Sequence, residues 1–388
     1  SGCFNNTISG GYYVSRSTIG GGYCNTICAP DSFIGGGIFN TIHNNPVYQQ
    51  YGGSTIAGGQ SNFVGTSRSN IAGGWMNTIA CEDGLPTGNA IGGGFNNKIC
   101  CTCSGSYNTI SGGGFNTIAN NAGDSETISS SLISGGYDNV IRDSNSTIAG
   151  GQSNTICKFG YNSFIGSGVN NKICSSYSFI GGGLSNTICC GAQFLTISGG
   201  QCNTVAGIGS SVVGGVSNTI SGGYSGTSCC NSSFIGGGNG NQVFSELSSV
   251  VGGLANAISG GCLSVIAGGQ GNYINNSCRI FIGGGLAHYV SNSLNSSIGG
   301  GSYNSIFGNY SFVGGGSSNS VSGCYSAVLG GYGNSVSGNY SGAFGSGLTN
   351  ANDYSFMANR LFADNLASFV GFGVEIGAGG ELIPSFSD

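Results

Sequence analysis

Charge is the scarcest property of this 388-residue chain: eight Lys plus Arg and 13 Asp plus Glu make up 5% of it, with a formal net charge of −5. With no basic cluster, neither a nucleic-acid backbone nor an anionic membrane surface finds a counterpart. Histidine is as thin, with only His43 and His288, far apart in sequence. The acidic residues fall mostly in variable stretches (Glu82, Asp83, Asp124, Glu126, Asp143). No carboxylate pair recurs in register, as a glycan-cleaving solenoid would need. No apolar run reaches the length of a membrane-spanning helix. The Gly-rich triplets are followed neither by Gly-Lys-Ser/Thr nor by a helical pattern, which excludes phosphate loops. Asp does not occupy the turns, which excludes a calcium roll. Together these absences predict no catalytic residues, no metal, no cofactor, no nucleic-acid partner and no membrane insertion.

Glycine is what the chain has in excess, 80 residues against 4 Pro. It does not recur at every third position, so collagen is excluded. The regular Ile and Val argue against disorder. These residues build one phrase, φ-x-Gly-Gly-x-x-Asn-x-φ with φ Ile or Val. One copy is Ile180, Gly182, Gly183, Asn186, Ile188; another is Val313, Gly315, Gly316, Asn319, Val321. The two φ residues stay eight apart while the spacing to the next copy varies, the mark of stacked coils with insertions. The coil period is about fifteen residues. It lengthens at residues 44–54, 81–89, 119–131 and 221–233. About twenty coils at roughly 4.8 Å would make a rod of about 95 Å.

Short β-type runs flank the Gly pair, as in Ser178-Phe179-Ile180 and Asn186-Thr187-Ile188. Residues two apart share a face, so Ser, Asn and both φ point inward and the residue between points outward. The Gly pair reverses the chain, and a side chain there would strike the next coil. Like residues then stack into ladders, with the inward Asn amides bonding the next coil. The expected fold is all-β: a parallel β-solenoid, or β-roll, of two-strand coils over residues 1–350. Residues 351–388 lose the phrase and form a C-terminal cap or neck.

The second strand shows mainly Thr outward: Thr26, Thr41, Thr78, Thr117, Thr155, Thr187, Thr204 and Thr219. The first strand is rich in Phe: Phe33, Phe164, Phe179, Phe234, Phe281 and Phe312. The position after Gly-Gly is often bulky, as at Tyr23, Trp75, Phe95, Phe115, Leu184 and Leu286. Rows of Phe do not normally face water on a monomer. Two aliphatics per coil also make a thin core. Both points predict that the Phe row is an oligomer interface, in a parallel homotrimer with the Thr face solvated.

Copies such as Ser311-Phe312-Val313-Gly314-Gly315-Gly316-Ser317-Ser318-Asn319-Ser320-Val321-Ser322-Gly323 resemble the head repeats of YadA-like trimeric autotransporter adhesins, and related Gly-rich β-roll fibre proteins. The resemblance covers roughly residues 1–350. It implies a trimeric left-handed parallel β-roll that binds a host surface receptor or glycan. The family's heads are usually poor in cysteine and their coils a residue shorter. The departures suit a virus or other extracellular fibre as well.

Seventeen cysteines without a metal motif suggest disulfides in an oxidising place. Cys28, Cys100, Cys157, Cys174 and Cys189 all follow the second φ directly. Cys174 and Cys189 fill that position in successive coils, as do Cys81 and Cys101 the next one, and both pairs are expected to be bridged. Cys103, Cys229, Cys230 and Cys278 read as loop cysteines. Cys100-Cys101-x-Cys103 has no His near it for zinc. The expected function is an extracellular structural or adhesive fibre, at a cell or virion surface, that displays a rigid multivalent surface. The alternatives are a self-assembling filament or viral coat component crosslinked by disulfides, and an ice-binding protein with a flat Thr row. An enzyme is not expected.

Overall fold

The computed structural model describes residues 4–9, 16–43, 52–81, 88–101, 105–120, 127–221, 232–359, 373–376 and 382–385. The side chains of Cys81 and Cys101 lie outside the described residues, as do most of the residues expected to be inserted loops. The chain divides into two compact units, Ser1–Cys202 and Asn203–Asp388. Each unit is a solenoid of parallel strands.

In the first unit, the first strands run from Thr18–Ile19 to Thr196–Ile197 and the second strands from Thr7–Ile8 to Thr187–Ile188. Each pairs in parallel with its counterpart one coil on: Phe164 faces Phe179 and Ile165 faces Ile180. The second unit repeats this, with Ser297 facing Phe312 and Ile298 facing Val313. Equivalent Asn residues are 15 positions apart in plain coils. They are 16 apart between Asn256 and Asn272, and 23 apart where residues are inserted.

The strands are short because each contributes only one aliphatic and one small polar residue to the interior. The inward Ile and Val of both strands are buried from Ile27 to Val336. Buried beside them are the Asn column and the Ser column. The interior is therefore half polar, which is tolerable only if every polar group has a partner. The Asn ladder shows how this is met. Asn319 Nδ2 donates to the carbonyls of Gly315 and Gly331, each at 3.0 Å. Its Oδ1 accepts the backbone N–H of Asn334 at 3.0 Å. The Ser ladder works alike: Ser311 Oγ donates to the Gly323 carbonyl at 2.8 Å and accepts the Ser326 N–H at 3.4 Å.

The two glycines of the pair differ. The second is left-handed, as at Gly316 with φ +85°, and a Cβ there would collide with the Gly331 carbonyl oxygen of the next coil. At Gly315, the first, a Cβ would meet nothing within 4 Å. The steric argument for the pair holds for its second member alone, and Ser167 takes the first place in one coil.

Two features were not anticipated. The coil has a third ladder, one residue long, just after the Gly pair. Trp75 bridges Phe95 there in the first unit, and Gln270 bridges Leu286 in the second. The two-strand coil is thus a three-ladder coil. Each coil also holds left-handed residues that are mostly not glycine. Two after the Gly pair stand Ser185 (φ 55°), Ala255 (φ 53°) and Ser318 (φ 57°). Just before the inward Ser stand Tyr177 (φ 52°), Leu263 (φ 55°) and Tyr325 (φ 57°). A left-handed L-residue costs roughly 1–2 kcal/mol. The flanking ladders hold it: Ser318 N–H donates to Ser302 and Tyr325 N–H to Asn309, one coil back, both at 2.9 Å.

The parallel ladder continues past residue 350. Phe356–Ala358 pairs with Gly342–Ser346, Gly342 facing Phe356. Beyond it, Gly373–Ile376 and Leu382–Ser385 form an antiparallel pair.

Candidate interaction surfaces

The outward residues make columns, because each coil repeats the one before. In the first-strand column, the structure places all six expected phenylalanines facing outward: Phe33, Phe164, Phe179, Phe281 and Phe312 are exposed and Phe234 is half-buried. They do not form a continuous row. Thr18, Phe33, Thr55 and Asn70 are successive members in the first unit. Ser297, Phe312 and Ala327 are successive members in the second. Only Phe164 and Phe179 adjoin, with stacked rings 5.6 Å apart.

Each of these rings also has a bed in its own coil. A glycine follows every one by two residues on the same face: Gly35, Gly166, Gly181, Gly236, Gly283 and Gly314. A Cβ on Gly181 would sit 3.3 Å from the Phe179 ring, and one on Gly314 3.3 Å from the Phe312 ring. The glycine makes room and the ring lies over it. Larger residues at the second place accompany small first residues, as in Thr55-Ile56-Ala57 and Ser211-Val212-Val213, although Ser297-Ile298-Gly299 keeps the glycine. The ring is thus partly covered within the chain, which leaves Phe33 43% exposed.

The third-ladder column is more continuously apolar. Tyr23, Ile38, Trp75, Tyr137, Val169 and Leu184 are exposed along the first unit, and Val216, Leu254 and Leu286 along the second. Gln60, Gly114, Gln152 and Gln201 interrupt it in the first unit, and Asn239, Gln270, Ser302 and Ser317 in the second. Trp75, Phe95, Phe115 and Tyr137 touch in sequence, with centroids 4.9, 4.9 and 5.2 Å apart. Here Gly114 holds the ladder position and Phe115 follows it.

A third column consists of tyrosines that precede the inward Ser. Tyr310, Tyr325, Tyr340 and Tyr354 stack with ring planes within 2° of parallel and centroids 4.7, 4.9 and 5.0 Å apart. Desolvation by the neighbouring groups, then the Tyr310 and Tyr340 phenols, holds the Tyr325 hydroxyl above its ordinary pKa. The recurrent Tyr-Ser at intervals of 15, 15 and 14 was the readable signal for this ladder.

The Thr column is half-buried rather than freely solvated. It is interrupted in register by Lys98 and Lys172 in the first unit, and by Gln242 and Tyr273 in the second.

Cys174 is bonded to Cys157, one coil in the other direction from the expected partner, with Cα atoms 4.7 Å apart; Cys189 is a free thiol. The correction has a simple reason. Cys157, Cys174 and Cys189 fill one position in three successive coils. The middle thiol can bond only one neighbour, and position alone does not choose it. Burial, then Cys190, pushes the Cys189 thiol above its ordinary pKa, with Lys172 opposing. Cys81 faces Cys101 in backbone register, with their side chains outside the described residues. Cys103, Cys229 and Cys230 also lie outside them. Cys278 is not in a loop but ends the strand Tyr273–Cys278.

His288 takes an Asn position and is 1% exposed. Its Nδ1 accepts the Asn304 N–H at 3.2 Å, which places the ring proton on Nε2. That nitrogen has no well-aligned partner, although the Gly284 and Gly301 carbonyls lie near it. Burial pushes the His288 pKa below its ordinary value, against those backbone groups.

Among the described residues, no three His, Cys, Asp or Glu side chains cluster as metal ligands. Among them, too, no helix is long and apolar enough to cross a membrane. Arg16 pairs with Asp31 at 2.8 Å on the surface. No family model and no curated protein matches this chain.

Proposed function

We propose that this chain is a structural fibre protein that works outside the cell, at a cell or virion surface, as a parallel homotrimer. Attachment to a surface receptor or glycan then rests on many weak contacts repeated along a rigid lattice, not on one pocket. The single observation that carries this reading is the third-ladder column, whose exposed Tyr, Trp, Leu and Val side chains return along both units between polar members. Exposed apolar residues in such number favour a partner, and the partner with the matching period is another copy of the same chain. The Phe column, partly covered by its own glycines, supplies the flank of that contact. The antiparallel pair Gly373–Ile376 and Leu382–Ser385 caps an open strand edge in this reading.

Size-exclusion chromatography with light scattering tests the assembly, and electron microscopy tests the form. Discrete short particles of three chains are expected. A monodisperse single chain at micromolar concentration would remove the trimer.

One observation favours a second reading, a self-assembling filament crosslinked by disulfides. Cys190 and Cys202 are free and exposed, so they can reach another molecule. Open-ended polymers that collapse on reduction, seen on non-reducing gels and by microscopy, would select it over the first.

A further inference from the structure

The second unit carries a pair of thiols that the repeat does not explain. The strands Ala257–Cys262 and Tyr273–Cys278 are among the longest in the unit, because each runs on past its buried aliphatic. They pair in parallel, with Ile258 facing Ile274 and, at the far end, Cys262 facing Cys278. The Cys262 thiol donates to Cys278 Sγ at a sulfur–sulfur distance of 2.9 Å. Both residues are half-buried, so small molecules reach them.

The geometry points to a redox-active dithiol at Cys262 and Cys278, which closes to a disulfide across neighbouring coils by exchange with a low-molecular-weight disulfide. Neighbouring parallel strands lie about 4.8 Å apart, inside the Cα range a disulfide needs. The chain already makes this bridge elsewhere: Cys157 and Cys174 join facing positions of adjacent coils at a Cα distance of 4.7 Å. The backbone around the new pair is tied on both sides. Arg279 N–H donates to the Cys262 carbonyl at 3.0 Å, and Cys278 N–H to the Ser293 carbonyl at 3.2 Å. Bond formation therefore needs the thiol rotors to turn and little else.

The surroundings give the two sulfurs different parts. Cys262 faces Glu246 of the preceding coil, whereas Cys278 accepts the thiol hydrogen bond. The hydrogen bond to Cys278, then burial, holds the Cys262 thiol above its ordinary pKa. Cys262, the donor of that hydrogen bond, keeps its proton, so Cys278 is the attacking sulfur and Cys262 the resolving thiol. Cys278 attacks one sulfur of the small disulfide, breaks its S–S bond and releases one thiolate. Cys262 then loses its proton and attacks the Cys278 sulfur of the mixed disulfide, releasing the second thiolate. Two protein thiols are oxidised with loss of two hydrogens, and one small disulfide is reduced to two thiols. The bridge pins the strand extensions, where Gly260 and Gly261 are both left-handed (φ 71° and 79°).

The test uses the full chain in glutathione redox buffers, quenched in acid, alkylated, digested and mapped by mass spectrometry. Oxidising buffer is expected to give a Cys262–Cys278 linked peptide that reductant abolishes. In the Cys262→Ser variant, Cys278 loses its resolving partner and should accumulate a glutathione adduct at least about tenfold above the unaltered chain. Singly alkylated Cys262 and Cys278 after oxidation of the folded chain would overturn the assignment, as would bonds from each to other cysteines. If the variant fails to keep its β-type circular-dichroism spectrum, the peptide map of the unaltered chain decides alone.

Discussion

His288 stands where neighbouring coils hold asparagine, and it does half of that residue's work. Its backbone N–H still meets Asn272 Oδ1 at 3.0 Å, and its Nδ1 still accepts from Asn304. The amide's two donations to glycine carbonyls are not reproduced in good geometry. An unsatisfied buried polar group costs roughly 1–3 kcal/mol. His288→Asn should therefore raise stability by about 1–2 kcal/mol in chemical denaturation. The sign of the pH effect follows from the lowered pKa. The unfolded chain takes up the proton at its ordinary value near 6.5 while the folded chain resists it. The contribution is complete above that pH and is lost as the pH falls from there toward the folded-state pKa. The His288→Asn variant should lose this acid-side decline, and an unchanged slope of stability between pH 7 and 5 would count against the assignment.

Backbone strain offers a second comparison at the same scale. Ala255 is exposed and left-handed, while Gly240 and Gly271 hold the equivalent position in the coils on either side. The left-handed penalty of roughly 1–2 kcal/mol exceeds the entropy that glycine costs, roughly 0.5–1 kcal/mol. Ala255→Gly is expected to stabilise by about 0.5–1 kcal/mol, read as a shift in denaturation midpoint. Destabilisation would show that the ladders, not the residue, set the conformation at no cost.

At the scale of the coil, hydrogen-bonded columns matter as much as the aliphatic core. Asn319→Ala removes the donors to Gly315 and Gly331 and orphans the Asn334 N–H. The expected loss is about 2–4 kcal/mol, more than the 0.5–1.5 kcal/mol of a single buried methyl deletion such as Ile306→Val. The tyrosine column tests stacking separately from burial. Tyr325 contacts two rings and Tyr354 one. At about 0.5–1.5 kcal/mol per pair, Tyr325→Ala should cost roughly twice Tyr354→Ala. Equal costs would mean that the rings contribute through area alone.

Much of this coil could be read from residue order. The eight-residue interval between Ile180 and Ile188, with Ser178 and Asn186 two before each, fixed which side chains face inward, because strand faces alternate strictly. The third ladder could not be read, since a one-residue bridge at Leu184 or Trp75 leaves no alternation to detect. The left-handed Tyr and Ser positions escaped for a different reason: residue type argues against them, and only the neighbouring coils enforce them. The Phe-over-Gly pairing was present in the sequence as Phe-Ile-Gly. Its meaning lies within one coil, between a ring and the glycine two residues on, and not in the column of phenylalanines. For Cys174 the position was legible and the partner was not, because thiols stood in the same place on both sides.

At the scale of the molecule, the question is what covers the apolar columns. The aliphatic interior holds two branched side chains per coil, while Trp75 remains 50% and Phe281 48% exposed. The third-ladder column, in which the Trp75, Phe95, Phe115 and Tyr137 rings touch in sequence, is the contact proposed here. Replacing Leu254 and Leu286 by Ser should therefore disrupt assembly, whereas replacing Phe281 and Phe312 by Ser should weaken it less. Each Leu→Ser change removes about 1 kcal/mol of burial, and a trimer of the double variant carries six of them. The combined loss of about 6 kcal/mol corresponds to an association constant lower by on the order of 10⁴. Light scattering on the unaltered chain is expected to give three times the 38.5 kDa chain mass, and the Leu254/Leu286 double variant should scatter as single chains with its β-type circular dichroism intact. If the phenylalanine pair dissociates the assembly and the leucine pair leaves it whole, the first-strand face is the interface, and the glycine beds serve to flatten the rings against a neighbouring chain.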